Sequence, residues 1–217
     1  MSEGLKKSSG LLDVIVDVSR WQKGLEVERL GKQGISAVIV KASQGLTIKD
    51  SEYDGFSSKS RTCGYLTGAY HFGTNAPGDK QADFFLGCID WKNNKGTMMV
   101  LDWETNAQIT MRKDQAIAFV KRIKDVTGKY PVLYTGTYFL NAAGLSDYSV
   151  IGNCPLWLAR YSVSMPGSVT GFLPWKLWQY SGDSVMEFGD GRLGKIDRSV
   201  FRGTVDEMRA FWEGHAC

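Results

Sequence analysis

The sequence predicts an α/β barrel of modified TIM type, five β/α units followed by three β-strands, (β/α)5(β)3. Three observations point to it. Apolar, β-rich runs of strand length alternate with stretches of helical period over the first two thirds of the chain. Beyond about residue 150 the helical period fades, and three more strand-like runs stand between Pro- and Gly-containing links. Several runs end in acidic or aromatic residues, which suits a barrel whose strand ends surround a cleft. With 217 residues, 43% of them hydrophobic, the chain can build one sizeable core.

The elements follow in order. Residues 1–12 read as a flexible lead-in, which leaves 13–217 as a single domain. Residues 14–19 make the first strand. Residues 24–33 make a short helix, with Leu25, Val27 and Leu30 apolar, and 37–43 a second buried strand. A helix over 53–60 and a strand over 66–72 come next. Pro77-Gly78-Asp79 opens a helix in which Ala82, Phe85, Leu86 and Ile89 recur at i, i+3, i+4 and i+7. Residues 97–104 form the fourth strand. Thr110 is the expected N-cap of an amphipathic helix with Ile117, Val120 and Ile123 apolar and Gly128 as its stop. The fifth strand covers 131–134, and a short helix 137–143. The three plain strands cover 156–161, 175–180 and 196–201. Thr204-Val205-Asp206-Glu207 is a capping box, and the helix it opens is apolar at Val205, Met208, Phe211 and Trp212.

Charge and composition narrow the function. A net charge of +3 and a pI near 8.6 are only mildly basic, and no basic stripe suggests nucleic acid as a partner. No apolar run is long enough for membrane insertion, and none behind Lys6 and Lys7 resembles a signal peptide. Cys63, Cys88, Cys154 and Cys217 are scattered without metal-ligand spacing and are expected as free thiols. His71 and His215 are too few and too far apart to suggest a metal site, and nothing calls for a cofactor.

The sharpest chemical feature is the stretch Val100-Leu101-Asp102-Trp103-Glu104. Residues at i and i+2 share a strand face, so Asp102 and Glu104 point the same way, about 7 Å apart along the chain. Two acids at the end of a buried strand are costly to desolvate and repel each other. A chain tolerates that mainly when they are paired with cations or do chemistry. Other polar and aromatic residues expected at strand ends are Asp17, Ser19, Lys41, Ser43, Tyr70, His71, Tyr134, Trp157, Tyr161, Trp178, Tyr180 and Asp197. Acids protonate glycosidic oxygens and aromatic faces stack on sugar rings, so this set reads as a glycosidase cleft. Against it, Asp17 and Asp197 could be paired structurally with Arg20 and Arg198, and His71 is expected as a hydrogen-bonded support.

Five motifs in order carry a family resemblance. Val16-Asp17-Val18-Ser19-Arg20-Trp21-Gln22, Val40-Lys41-Ala42-Ser43-Gln44-Gly45, Gly68-Ala69-Tyr70-His71-Phe72, Leu101-Asp102-Trp103-Glu104 and Trp178-Gln179-Tyr180 resemble the glycoside hydrolase family 25 lysozymes, the Chalaropsis-type muramidases found among phage endolysins and autolysins. The resemblance implies a catalytic barrel domain of five β/α units plus three strands. It implies cleavage of the β-1,4 bond between N-acetylmuramic acid and N-acetylglucosamine in bacterial peptidoglycan. It makes Glu104 the general acid and Asp102 its partner, as nucleophile or as stabiliser of a substrate-assisted intermediate. Asp17 and Asp197 complete the acidic cluster. Lys41, Tyr70, Tyr134, Trp157, Tyr161, Trp178 and Tyr180 are the expected substrate-binding residues.

The same resemblance suggests a monomeric phage endolysin. Such a protein would be held in the host cytoplasm until a holin admits it to the wall. Two alternatives stand beside it. A chitinase-like barrel would carry a third acid two residues before Asp102, where this chain has Val100. A non-catalytic glycan-binding barrel would have no need of the intact Asp102/Glu104 pair.

Overall fold

The structure is a computed structural model, which describes residues 10–142, 150–189 and 191–217. The strands are β1 (Leu11–Val18), β2 (Ala37–Gln44), β3 (Ile48–Lys49), β4 (Leu66–Phe72), β5 (Met98–Asp102), β6 (Val132–Gly136), β7 (Leu156–Ala159), β8 (Leu177–Gly189) and β9 (Arg192–Arg202). The α-helices are α1 (Tyr53–Thr62), α2 (Gly78–Ile89), α3 (Lys113–Thr127), α4 (Thr137–Ala142) and α5 (Val205–His215). Eight strands close in the order β1-β9-β8-β7-β6-β5-β4-β2, and β2 pairs back onto β1. Neighbours from β1 round to β8 are parallel, whereas β9 runs antiparallel to both β8 and β1. β3 only adds a short antiparallel edge to β2. The barrel predicted from the sequence is the one observed.

Strand alternation divides the side chains between two cores. Ile15, Ile39, Met98, Val100, Val132, Trp157, Leu177 and Phe201 fill the barrel interior. Their neighbours Val16, Val38, Met99, Leu101, Leu133 and Trp178 face outward against the helices. Met208 and Trp212 of α5 join the interior set, and the Trp212 indole N–H donates to the Thr67 carbonyl at 3.0 Å. Ala216 then bridges to Met98, so the C-terminal helix covers the floor of the barrel. Fully burying one large apolar side chain contributes about 1.5–3 kcal/mol. The floor is thereby sealed, and the C-terminal strand ends are left to form the cleft.

Several boundaries differ from the sequence expectation. β1 begins at Leu11, because Leu11 and Leu12 pair with Arg202 and Phe201 of β9. The segment expected as a helix over 24–33 is a 3-10 helix, Val27–Gln33, ended by Gly34 at φ 80. Thr110 does not cap α3. Its hydroxyl closes a turn with the Asn106 N–H, while Gln115 reaches back to the N–H of Arg112, the actual cap, at 2.8 Å. The last two strands are much longer than expected and join in a hairpin that runs past the barrel rim. Residues 1–9 of the expected lead-in and 143–149, with the end of the expected 137–143 helix, lie outside the described residues. All four cysteines are free. Among the described residues no helix is long and apolar enough to cross a membrane.

Candidate active site

The cleft at the C-terminal strand ends is lined by four carboxylates, Asp17 on β1, Asp102 on β5, Glu104 just beyond β5, and Asp197 on β9. Lys41, Tyr70, Tyr134, Trp157 and Tyr161 line it as the sequence suggests. All of them sit at inward-facing positions. In β5 the inward residues Met98 and Val100 are continued by Asp102, and the same face carries on to Glu104. Trp103, between the two acids, is 1% exposed and points outward, with its indole N–H donating to the Met111 carbonyl at 2.9 Å. That anchor fixes the direction of the acids on either side of it.

Burial is the first electrostatic fact of the site. Asp102 is pushed well above the usual aspartate range by desolvation, reinforced by the charge of Glu104. Glu104 is itself raised by burial, and the ammonium of Lys41 pulls it back in part. Asp17 is raised well above its ordinary value by burial and by Asp197, its direct partner in the β1·β9 register. Burial raises Asp197 to about 6. Asp102 Oδ1 is buried and, among the described residues, has no hydrogen-bond partner. Lys41 donates to Gln44 at 2.9 Å and lies 4.9 Å from the centre of the Phe72 ring, and among the described residues its charge faces the acids without a bonded counter-ion.

Neither arginine that could have neutralised these acids does so. Arg198 pairs with Asp13 at 2.9 Å, leaving Asp197 in the cleft. The Arg20 guanidinium lies 5.2 Å from the centre of the Trp21 ring. Aromatic surface flanks the carboxylates on several sides. Tyr134 and Trp157 meet edge to face at 4.7 Å, and Trp21 stands 78% exposed at the rim. This gives the cleft a flat apolar surface of the kind a sugar ring stacks on.

Two expected binding residues are not in the cleft. Trp178 is fully buried on the outer face of β8, and its indole N–H donates to the Arg160 carbonyl at 2.7 Å. Tyr180, two residues on and therefore on the same face, donates to Asp13 at 3.0 Å. Both support the barrel wall. Ser43 and His71 also face away, hydrogen-bonded to each other at 2.8 Å, with the imidazole stacked on Phe119. Burial lowers His71 to about 4 and keeps it neutral.

Three cleft residues escaped the sequence reading, namely Trp21, Phe72 and Gln179. The signal for Gln179 was its phase. It alternates with Trp178 and Tyr180, so if they face out it faces in. Phe72 is likewise in phase with Tyr70. Among the described residues no group of three or more His, Cys, Asp or Glu is arranged to hold a metal ion.

A barrel whose open end gathers four carboxylates beside aromatic faces has the groups that glycoside hydrolysis uses. Comparison with known proteins agrees and is more specific. The chain belongs to glycosyl hydrolases family 25, whose family model matches residues 16–187. Lysozyme M1 from Streptomyces globisporus is 28% identical over 211 residues, covering 90% of this chain and 69% of that protein. The crystal structure of the bacterial lysozyme from Streptomyces coelicolor superposes with a TM-score of 0.80 at 27% identity, covering 97% of this chain and all of that one (100%). The CTP1L endolysin is 29% identical with a TM-score of 0.72, covering 92% of this chain and 69% of its own. The protein is therefore a glycoside hydrolase of the lysozyme kind.

Proposed function

We propose that the protein is an N-acetylmuramidase that cleaves the β-1,4 bond between N-acetylmuramic acid and N-acetylglucosamine, with Glu104 as general acid and Asp102 as the group that manages the charge which follows. The observation that carries this is the Asp102/Glu104 pair in the cleft, with burial raising both carboxyls. A general acid needs its carboxyl raised above the ordinary glutamate range, and desolvation of Glu104 shifts it in that direction.

Glu104 donates its proton to the glycosidic oxygen as the bond from that oxygen to the anomeric carbon breaks. Positive charge then builds on the sugar ring, and the surrounding carboxylates stabilise it. The substrate's own 2-acetamido oxygen attacks the anomeric carbon, while Asp102 accepts a hydrogen bond from the acetamido N–H. The unpartnered Asp102 Oδ1 supports this role, since it is a buried acceptor in need of a donor. Water, deprotonated by Glu104 now acting as base, opens the cyclic intermediate and returns the carboxyl to its starting state. Asp17 and Asp197 complete the acidic wall, and Lys41, Tyr70, Tyr134, Trp157 and Tyr161 contact the glycan.

Likeness to an endolysin supports lysis of a bacterial host as the setting, with the protein acting as a monomer and a holin giving access to the wall. Glu104→Gln tests the central assignment. Release of reducing ends from purified peptidoglycan should fall roughly 10²–10⁴-fold while binding to the same walls persists. Activity near wild type would show that Glu104 is not the acid. A substrate without the acetamido carbonyl should bind without turning over, and normal turnover would exclude its participation.

A further inference from the structure

Gln179 stands where the polar contacts of the cleft cross, and no step above uses it. Its Nε2 donates to both oxygens of Asp17, at 3.1 and 3.0 Å. Its Oε1 accepts from the Tyr134 hydroxyl at 2.7 Å and from the Tyr161 hydroxyl at 3.1 Å. A carboxylate accepts and two phenols can donate, so the amide fits in one orientation, NH2 toward Asp17 and oxygen toward the tyrosines. Two consequences follow. A donor shared by both Asp17 oxygens favours the charged form of a carboxyl that is only 5% exposed. Each tyrosine spends its single proton on the amide, which leaves only lone pairs for the cleft.

We propose that Gln179 is a positioning residue of the hydrolysis, which orients the Asp17 carboxyl, counters the burial that disfavours its charged form, and turns the Tyr134 and Tyr161 hydroxyls into acceptors for the hydroxyl donors of the sugar. The effect on catalysis rests on the hydrolytic assignment above; the effect on Asp17 does not. Gln179 itself is 2% exposed on β8, in phase with Leu177 of the barrel interior. It thus acts on the substrate through its three partners. The charged and titratable groups around Asp17 come from every wall of the cleft. They are Lys41 on β2, Tyr70 on β4, Asp102 and Glu104 at the end of β5, Tyr134 on β6, Tyr161 after β7, and Asp197 on β9, with Asp183 on β8 beside Asp197. Among the described residues, Gln179 is the neutral donor that bonds both Asp17 oxygens. Removing it leaves Asp17 facing other acids and should raise the pH at which the Asp17/Asp197 pair gives up its proton.

The test uses Gln179→Leu together with Gln179→Asn. The asparagine variant keeps an amide in the wall but is one methylene too short to span Asp17 and both tyrosines, and it guards against a failure of the leucine variant to fold. The first readout is the Asp17 carboxyl titration by carbon-13 NMR, with its signal identified by its loss in Asp17→Asn. Its midpoint should move up by about one pH unit in either variant. The second is the pH profile of reducing-end release. Its acid limb should move the same way and kcat should fall about tenfold or more, by more than KM changes. An unmoved Asp17 titration overturns the proposal, whether or not the enzyme turns over. So does a shifted titration with unchanged kcat. Wild-type turnover and its loss in Glu104→Gln report on the hydrolytic assignment separately.

Discussion

Asp102 places a buried carboxylate oxygen without a partner beside a second acid, and both features weigh against the folded state at neutral pH. Because burial and Glu104 raise its folded value, the protonated form is the one the fold prefers. Its contribution to stability is fully present below the ordinary aspartate value of 3.8 and is lost as the pH rises through the raised folded value. Asp102→Asn imitates the neutral form. It should therefore raise the melting temperature at pH 7, by roughly 2–4 °C for each kcal/mol recovered, and the gain should vanish below pH 4. Scanning calorimetry across that range checks it, and a pH-independent gain would point to packing instead. Asp197 adds to the same trend, its contribution being present below 3.8 and lost as the pH rises through about 6. At this scale the sequence served well for the acids, since they stand at alternate positions of strands that could be recognised. It served less well for the aromatics. Trp178 and Tyr180 have the right chemistry for sugar binding but the wrong phase, and the modest Gln179 between them takes the place in the cleft.

Among the elements, α2 and α3 pack so closely that Gly78, at the first residue of α2, has no room for a Cβ. One added there would run into the Gln115 carbonyl and the backbone of α3. Gly78→Ala should lower stability by about 1–3 kcal/mol, read as a lower denaturation midpoint at unchanged slope. A midpoint within error of wild type would mean that α2 shifts freely. Helical period made α2, α3 and α5 legible, because each buries one stripe. Their precise starts were not. Thr110 and Arg112 are both compatible with the helix that follows, and the choice fell to Gln115 reaching back to Arg112. The β8–β9 hairpin was hidden for a related reason. Beyond the rim only one face of the arm stays apolar and buried, with Met186 and Phe188 in the outer core while Val185 and Leu193 are exposed, and backbone pairing continues from Ser184–Ile196 to Gly189–Arg192. The arm is also held by polar contacts to the 3-10 segment, among them the Gln33 side chain donating to the Glu187 carbonyl at 2.9 Å.

For the whole molecule, closure depends on β1, which lies between parallel β2 and antiparallel β9 and joins the two ends of the sheet. Opening that seam would expose the barrel interior, so amides of β1 and β5 should exchange with solvent only through global unfolding and with one common free energy. The outer arm of the hairpin, where Val185 and Leu193 are 63% and 67% exposed, should exchange faster through local opening. Native-state hydrogen exchange reads both. Protection of β1 well below that of β5 would show the seam opening by itself.

By itself the sequence determined the strand and helix order, the barrel class and the acids of the cleft, together with the family the motifs resemble. These are local properties, since each strand's apolar run and each acid's place at its end are written in adjacent residues. Only the tertiary structure decided which side of each strand faces the cleft. It also decided which arginine takes which acid, and that Gln179 joins Asp17 to Tyr134 on β6 and to Tyr161 just after β7. Those outcomes depend on register between strands as much as 162 residues apart, and no stretch of neighbouring residues carries that information.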